Sequence, residues 1–373
     1  KLFKSLLLGS AAGLVAVSGA SAADLGVKKP AAAVEYVRVC SAHGAGFWYI
    51  PGSDVCIKIG GRVRAEYLYA TDWTRGDDIS SFRANGRIEA DFRQTTSYGL
   101  LRAFVRYDVY ASGGRYVTSV NSLVGNTDQT NSTQTPFLDK AFIQFYTGSA
   151  GFITAGRSVS FFDFYANNDN WSALPGSDRG NTNMFAYTFT FGGGLTATVA
   201  IEDSWQRRLQ AGTGLVGYNR FLYAGQQMPD IVGNVRLDQA WGSAQLSAAV
   251  HQIVLGNTYG APARFYGTEY GFAIQGGIKL NLPMLAAGDT LWLQAAYANG
   301  ATDYAAPARN VAAGTYGLAA GTIVNADGYV TSLGSVKKAT AWSVTASFVH
   351  NFTPTIQGAV FGGYGSLDYP GAT

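Results

Sequence analysis

Polar and apolar side chains alternate along most of the chain after residue 54, in segments of about ten residues separated by breaks. In residues 55–68 one set of alternate positions is apolar, and the other carries Lys58, Arg62, Arg64 and Glu66. Alternate residues of a β-strand point to opposite sides of the sheet. This pattern therefore predicts a strand with one apolar face and one charged face.

The same alternation recurs in the segments that follow. The polar positions of residues 83–93 and 100–110 include Arg87, Glu89, Arg93, Arg102, Arg106 and Asp108. Later segments with fewer charges lie near 138–146, 151–157, 183–191, 195–203, 229–238, 242–251, 269–280, 289–297, 340–349 and 355–365. Together these segments predict about thirteen strands.

The breaks between the segments alternate in length along the chain. The long ones lie near 69–82, 111–137, 158–182, 204–228, 252–268 and 298–339, and the short ones include 95–97, 148–150 and 192–194. This alternation predicts antiparallel neighbours with one elaborated end, as in outer-membrane barrels with short periplasmic turns and long external loops.

A soluble β-sandwich or jelly roll would show the same period, with its charged face outside and its apolar face in a shared core. Aromatic residues near strand ends, such as Tyr67, Tyr107, Phe145 and Phe189, favour a membrane protein with two interfacial girdles. We therefore predict an all-β fold, a transmembrane antiparallel β-barrel spanning residues 55–373, whose apolar faces point to lipid.

The first 22 residues have the composition of a secretory signal peptide. Lys1 and Lys4 precede a short apolar run, and small residues around Ala22 form a cleavage site. The run is too short to span a membrane, and an interfacial anchor helix is the alternative. Residues 23–54 would then form a segment on the periplasmic side of the barrel.

Composition excludes several other classes of protein. A hydrophobic share of 47% excludes a disordered chain, and 47 glycines without a three-residue period exclude collagen. A net charge of +3 gives no basic surface for nucleic acid. No apolar run reaches the roughly 18 residues of a spanning helix.

Export changes the interpretation of the two cysteines, Cys40 and Cys56. An oxidising compartment favours a disulfide between them, which would contribute about 3 kcal/mol. Two free buried thiols are one alternative. A metal site with His43 is another, although no further soft ligand lies near in the sequence.

Several stretches resemble the alphaproteobacterial porin family. They are residues 34–40, 44–52 and 56–61, the leader residues 4–12 and, more loosely, 187–189, 229–233 and 292–297. The resemblance implies a 16-stranded, water-filled, homotrimeric general porin of the outer membrane, and it also implies the early disulfide. The chain ends in a loop-like sequence at Thr373, so we expect a fragment that lacks about three closing strands.

In a barrel of this size the lumen is an aqueous channel, and function lies at its narrowest ring. The third external loop, about 158–182, is expected to fold inward with Asp163, Asp169, Asp178 and Arg179. These carboxylates would face the basic side chains of the first three strands across a transverse field. For the basic side chains, the alternative to a place in the narrowest ring is simple cross-strand salt bridging on the wall. For the aspartates of the loop, the alternative is an external loop exposed to solvent.

Catalysis is not expected. His43, His251 and His350 are the three histidines, and no motif of a serine hydrolase, zinc protease or phosphate-binding loop is present. We expect no cofactor and no metal. Passive diffusion of ions and small hydrophilic solutes is the favoured function, and a narrow or plugged barrel with a structural or adhesive role is the alternative.

Overall fold

The computed structural model describes residues 38–69, 79–112, 133–165, 181–208, 222–225, 227–257, 264–305, 326–331 and 334–370. Within these residues, no helix has the length and apolar character needed to cross a membrane. The fold of this part of the chain is almost entirely antiparallel β-sheet.

The strands follow one another in the sheet in nearly the order of the sequence. They are β1 Trp48–Tyr49, β2 Cys56–Tyr69, β3 Ser80–Thr96, β4 Gly99–Ser112, β5 Thr133–Tyr146, β6 Gly151–Val159, β7 Asn181–Gly192, β8 Leu195–Glu202, β9 Leu222–Tyr223, β10 Asp230–Gln239, β11 Gly242–Asn257, β12 Arg264–Asn281, β13 Thr290–Asn299, β14 Gly328–Val330, β15 Val336–Lys338, β16 Thr340–Thr353 and β17 Ile356–Asp368.

Strands of eight or more residues are β2 to β8, β10 to β13, β16 and β17. They number thirteen in the described ranges, which confirms the count expected from the alternating pattern. Each pairs antiparallel with the next in a single sheet, while β14 and β15 form a separate two-stranded hairpin. The all-β, antiparallel prediction is therefore confirmed.

The pairing register places all twelve charged side chains of β2, β3 and β4 on one face of the sheet. Lys58, for example, lies opposite Asp91, and Arg87 lies opposite Asp108. The other face of these strands is apolar. Its side chains are exposed, with 89% of the surface of Val63 and 69% of that of Phe82 accessible.

This burial pattern is the reverse of that in a soluble sandwich. Apolar side chains of later strands, such as Ile231, Leu246 and Val344, are also exposed on the same outer face. Their neighbours on the inner face, including Ser247 and Thr345, are buried. An apolar exterior with a polar interior is the arrangement of a transmembrane barrel.

One of the predicted long breaks is wrong in extent, and another has the predicted extent but contains regular structure. β11 continues to Asn257 and β12 begins at Arg264, so most of 252–268 is strand. The break at 298–339 contains a four-residue helix, Thr302–Ala305, and the hairpin of β14 and β15. The helix and the hairpin were not predicted, because elements of three or four residues are too short to show a period in the sequence.

Candidate functional site

The charged face of β2 to β4 is a network of cross-strand ion pairs. Arg87 donates to Asp108 with its Nη2 at 2.9 Å, and Arg106 Nε donates to Glu89 at 2.8 Å. Arg64 pairs with Glu66 of the same strand at 2.9 Å, and Glu66 also pairs across the strands with Arg83. Arginines and carboxylates alternate in this way because opposite positions on adjacent antiparallel strands bring side chains within reach of one another.

Basic side chains outnumber acidic ones on this face, which we call the charged wall. The eight basic members are Lys58, Arg62, Arg64, Arg83, Arg87, Arg93, Arg102 and Arg106, against Glu66, Glu89, Asp91 and Asp108. Arg62 lies directly opposite Arg87 and is exposed. No ion pair joins Arg62 to any residue of the described ranges within 4.0 Å, so its charge faces the inner space.

Asp91, which the alternation places on the charged face but which was not among the predicted pore-lining residues, organises one end of the charged wall. Its carboxylate accepts hydrogen bonds from Arg93 at 2.9 Å and from Arg102 at 3.0 Å. Asp139 of β5 similarly lies 3.7 Å from Arg87 and 3.5 Å from Arg106. The alternation predicted the place of Asp91, and pairing with the arginines was one predicted role. Asp139 was missed because it lies at a register shift that breaks the alternation.

The disulfide between Cys40 and Cys56 is present, with a Cα–Cα distance of 6.0 Å. It holds the N-terminal segment against the start of the charged wall. Phe47 is buried next to the disulfide, and its ring lies 4.7 Å from the Arg93 guanidinium. Lys58 Nζ donates to the carbonyl of Ala45 at 3.3 Å. Lys58 and Arg93 are therefore partly covered by this segment.

Residues 160–165, the first part of the predicted constriction loop, lie against the inner face of β10 to β13. Asn234 Nδ2 donates to Phe161 O at 2.6 Å, and Gln275 Nε2 donates to Phe162 O at 2.8 Å. The backbone N–H of Tyr165 donates to Gln294 Oε1 at 2.9 Å. Polar side chains of the inner face thus satisfy a buried loop backbone, as buried peptide groups require.

Asp163 lies within this inward segment. Its carboxylate accepts a hydrogen bond of 2.8 Å from Arg207, in the segment that follows β8. The sequence pattern had instead predicted that Asp163 faces the arginines of the first three strands. Burial alone would lower the pKa of Arg207, but Asp163, Tyr304, Asp303 and Glu202 raise it above its ordinary value. Arg207 is therefore a buried, permanently charged partner. Asp169, Asp178 and Arg179 lie outside the described residues.

A second inward segment, Ala301–Ala305, had no counterpart in the sequence-based prediction. Tyr304 packs edge-on against Phe162 with a centroid distance of 4.6 Å. Ser343 Oγ donates to Ala305 O at 2.6 Å, and Thr302 N donates to Asp327 Oδ1 at 2.7 Å. All five residues of the segment are buried, so it extends the inner layer formed by residues 160–165.

His251 belongs to this inner layer. Its Nδ1 lies 2.8 Å from Asp230 Oδ1, and Tyr304 OH donates to Asp230 Oδ2 at 2.6 Å. No carboxylate is near His251 in the sequence; pairing of β10 with β11 brings Asp230 to it. The imidazole has no accessible surface, so a substrate cannot reach it.

An apolar outer surface, a charged inner wall and the packing of residues 160–165 onto the inner face are the features of an outer-membrane channel of the porin class. A family model described as Porin subfamily matches residues 24–361. The chain belongs to that family.

Relatives and a solved structure agree with this assignment. Porin Omp2b of Brucella melitensis is 32% identical over 311 residues, covering 80% of this chain and 75% of the relative. Porin Omp2b of Brucella abortus strain 2308 has the same identity and coverage. The outer membrane channel DcaP of Acinetobacter baumannii superimposes with a TM-score of 0.57 at 14% identity, covering 86% of this chain and 81% of that one, which supports the fold alone.

The protein is therefore an outer-membrane porin, a channel rather than an enzyme. The resemblance to the porin family that the sequence suggested is confirmed, as is the transmembrane β-barrel fold. The alternative of a barrel with a structural or adhesive role is not favoured.

Proposed function

We propose that this porin lets ions and small hydrophilic solutes diffuse passively through a water-filled lumen bounded by the charged wall. The observation that carries the proposal is the placement of all twelve charged side chains of β2 to β4 on one face, behind an apolar exterior. Such a density of charge requires water or partners on its side of the sheet. A lumen filled by protein would have to supply those partners.

The residues proposed to line the pore are those of the charged wall that the sequence pattern indicated. They are Lys58, Arg62, Arg64, Glu66, Arg87, Glu89, Arg93, Arg102, Arg106 and Asp108, of which Asp108 is buried against Arg87 and would act on the lumen through that arginine. Arg62 is the best placed to act on a passing solute, because it is exposed and lacks an ion-pair partner among the described residues. The paired members hold their neighbours in fixed positions.

The loop at about 158–182 is proposed to form the constriction, with Asp163 in its anchored part and Asp169, Asp178 and Arg179 farther along. The contacts of residues 160–165 with the inner face support an inward course for its first part. Fixed charges on the loop and on the charged wall would order water and select solutes by charge and dipole.

The leader, the N-terminal segment and the apolar outer face also have proposed roles. Residues 1–22 would be removed as a signal peptide, and residues 23–54 would lie on the periplasmic side. The apolar outer face would contact outer-membrane lipid and the other subunits of a homotrimer. No cofactor, metal or nucleic acid enters this function.

Liposome swelling tests the proposal. The full-length protein is reconstituted in liposomes, which are then diluted into isotonic solutions of sugars of increasing size. We expect rapid swelling with monosaccharides and slower swelling as the solute grows. Swelling no faster than in protein-free liposomes, with insertion verified by heat-modifiable migration on a gel, would instead support a plugged barrel.

A further inference from the structure

Arg207 stands at the junction of the two inward segments. Its Nη2 donates to Asp163 Oδ1 at 2.8 Å, its guanidinium lies 4.6 Å from the centroid of Tyr304, and its Nη1 is 3.9 Å from Asp303 Oδ2. The side chain is 3% exposed. One cation therefore contacts both residues 160–165 and residues 301–305.

The connection continues from these segments into the wall of the barrel. Phe162 packs on Tyr304, whose hydroxyl donates to Asp230 at the start of β10. On the other side, Glu202 at the end of β8 accepts a hydrogen bond of 2.9 Å from the backbone N–H of Phe161. The anchoring of residues 160–165 thus involves side chains of β8 and of β10 to β13 together with the segments that carry Arg207 and Tyr304.

Charge strengthens this dependence. Asp163 is 5% exposed, so its carboxylate has little access to water, and Arg207 is a cationic partner at 2.8 Å. Removing one partner of a buried ion pair leaves the other charge uncompensated, which costs far more than losing an exposed pair. Without Arg207, the hydrogen bonds from the strands still hold residues 160–165, but the ionic link to Asp163 and the contact that joins this segment to residues 301–305 are lost.

We propose that Arg207 is the positioning residue of the constriction: it holds the start of the loop at 158–182 against the inner face and so fixes the pore opening. This inference rests on the proposed passage of solutes past that loop. Arg207 does not contact the solute. It acts through Asp163 and Tyr304. Its loss would let the start of the loop take several positions, so the width of the opening would vary.

Single-channel recording of Arg207→Met in planar bilayers tests the inference. Methionine keeps an unbranched apolar stem and removes the guanidinium group with its charge and hydrogen-bond donors. We expect wild-type channels with one dominant conductance, and variant channels that switch among several levels with at least a two-fold wider spread of step sizes. Arg208→Met is the matched control. Its side chain donates to the carbonyl of Gly225 at 3.1 Å, and it should retain one dominant level.

Asp163→Asn provides a second route if Arg207→Met does not fold. It keeps the shape of the side chain and removes the opposite charge, so we expect the same multiple levels. The double variant should be no more heterogeneous than either single variant. A folded Arg207→Met or Asp163→Asn channel with one wild-type level would overturn the role of Arg207. Wild-type protein that inserts without conducting would instead refute the proposed function.

Discussion

The ring of Phe164 packs against Gly277, in the position that a Cβ atom on residue 277 would occupy. Gly277 lies on the inner face of β12, opposite Gln294 of β13, and Phe164 belongs to the inward segment. A glycine inside a strand often marks such a close approach. Here the missing side chain makes room for the loop that we assign to the constriction.

Gly277→Val is expected to displace Phe164 toward the pore axis. The new side chain overlaps the ring, and overpacking of this kind typically costs about 1–3 kcal/mol. We therefore predict a smaller single-channel conductance and lower stability in urea. Gly276→Val is the control, because Gly276 faces outward and has open space around its Cβ position. Equal conductance of the two variants would contradict this packing.

The strands and their faces could be predicted from the sequence because each depends on local alternation. Lys58 and Arg62 are four residues apart on one strand, so they share a face independently of long-range contacts. The inner layer could not be predicted, because Arg207, Tyr304 and Gln294 meet residues 160–165 across long sequence separations. Gly277 is a local feature of this contact, but a glycine in a strand is equally compatible with a bend and does not by itself predict what packs against it.

Arg62→Gln is expected to shift the reversal potential in a KCl gradient toward cation preference. The substitution removes an exposed positive charge that has no ion-pair partner among the described residues, so stability should stay within about 0.5 kcal/mol of wild type. Arg62→Lys preserves the charge and should preserve the reversal potential. If Arg62→Gln leaves the reversal potential unchanged, Arg62 does not line the conducting path.

Arg87→Gln is expected to destabilise the barrel. Asp108 is fully buried and is held by Arg87 at 2.9 Å and by Asn85 at 3.1 Å. Loss of one partner from a buried ion pair costs about 3–5 kcal/mol. Arg64→Gln disrupts a pair whose arginine is 41% exposed, and it should cost at most about 1 kcal/mol. Urea unfolding of the two variants checks this difference, and similar midpoints would contradict it.

Asp289, in the turn before β13, makes stability depend on acidity. Burial would raise the pKa of Asp289, but hydrogen bonds from the Asn351 N–H, His350 and the Asn351 side chain outweigh it and hold that pKa below the ordinary 3.8. A lowered folded-state pKa contributes stability above about pH 4, and this contribution disappears as pH falls through the folded-state value.

Thermal unfolding between pH 6 and pH 2 measures this contribution. The melting temperature of the wild type should fall below about pH 4, and Asp289→Asn should be less stable at pH 6 while losing less on acidification. Asp368→Asn is the control. Asp368 lies at the end of β17, and within the described residues its carboxylate accepts no hydrogen bond that joins two strands. Parallel pH profiles for wild type and Asp289→Asn would count against a role for Asp289.

The central claim is that the charged wall encloses an open, water-filled path across the outer membrane. Single-channel conductance of the full-length protein in a planar bilayer tests it most directly. We predict discrete conductance steps that increase in proportion to KCl concentration at high salt, as expected for ions moving through water. Stable insertion of folded protein without conductance steps would contradict the claim.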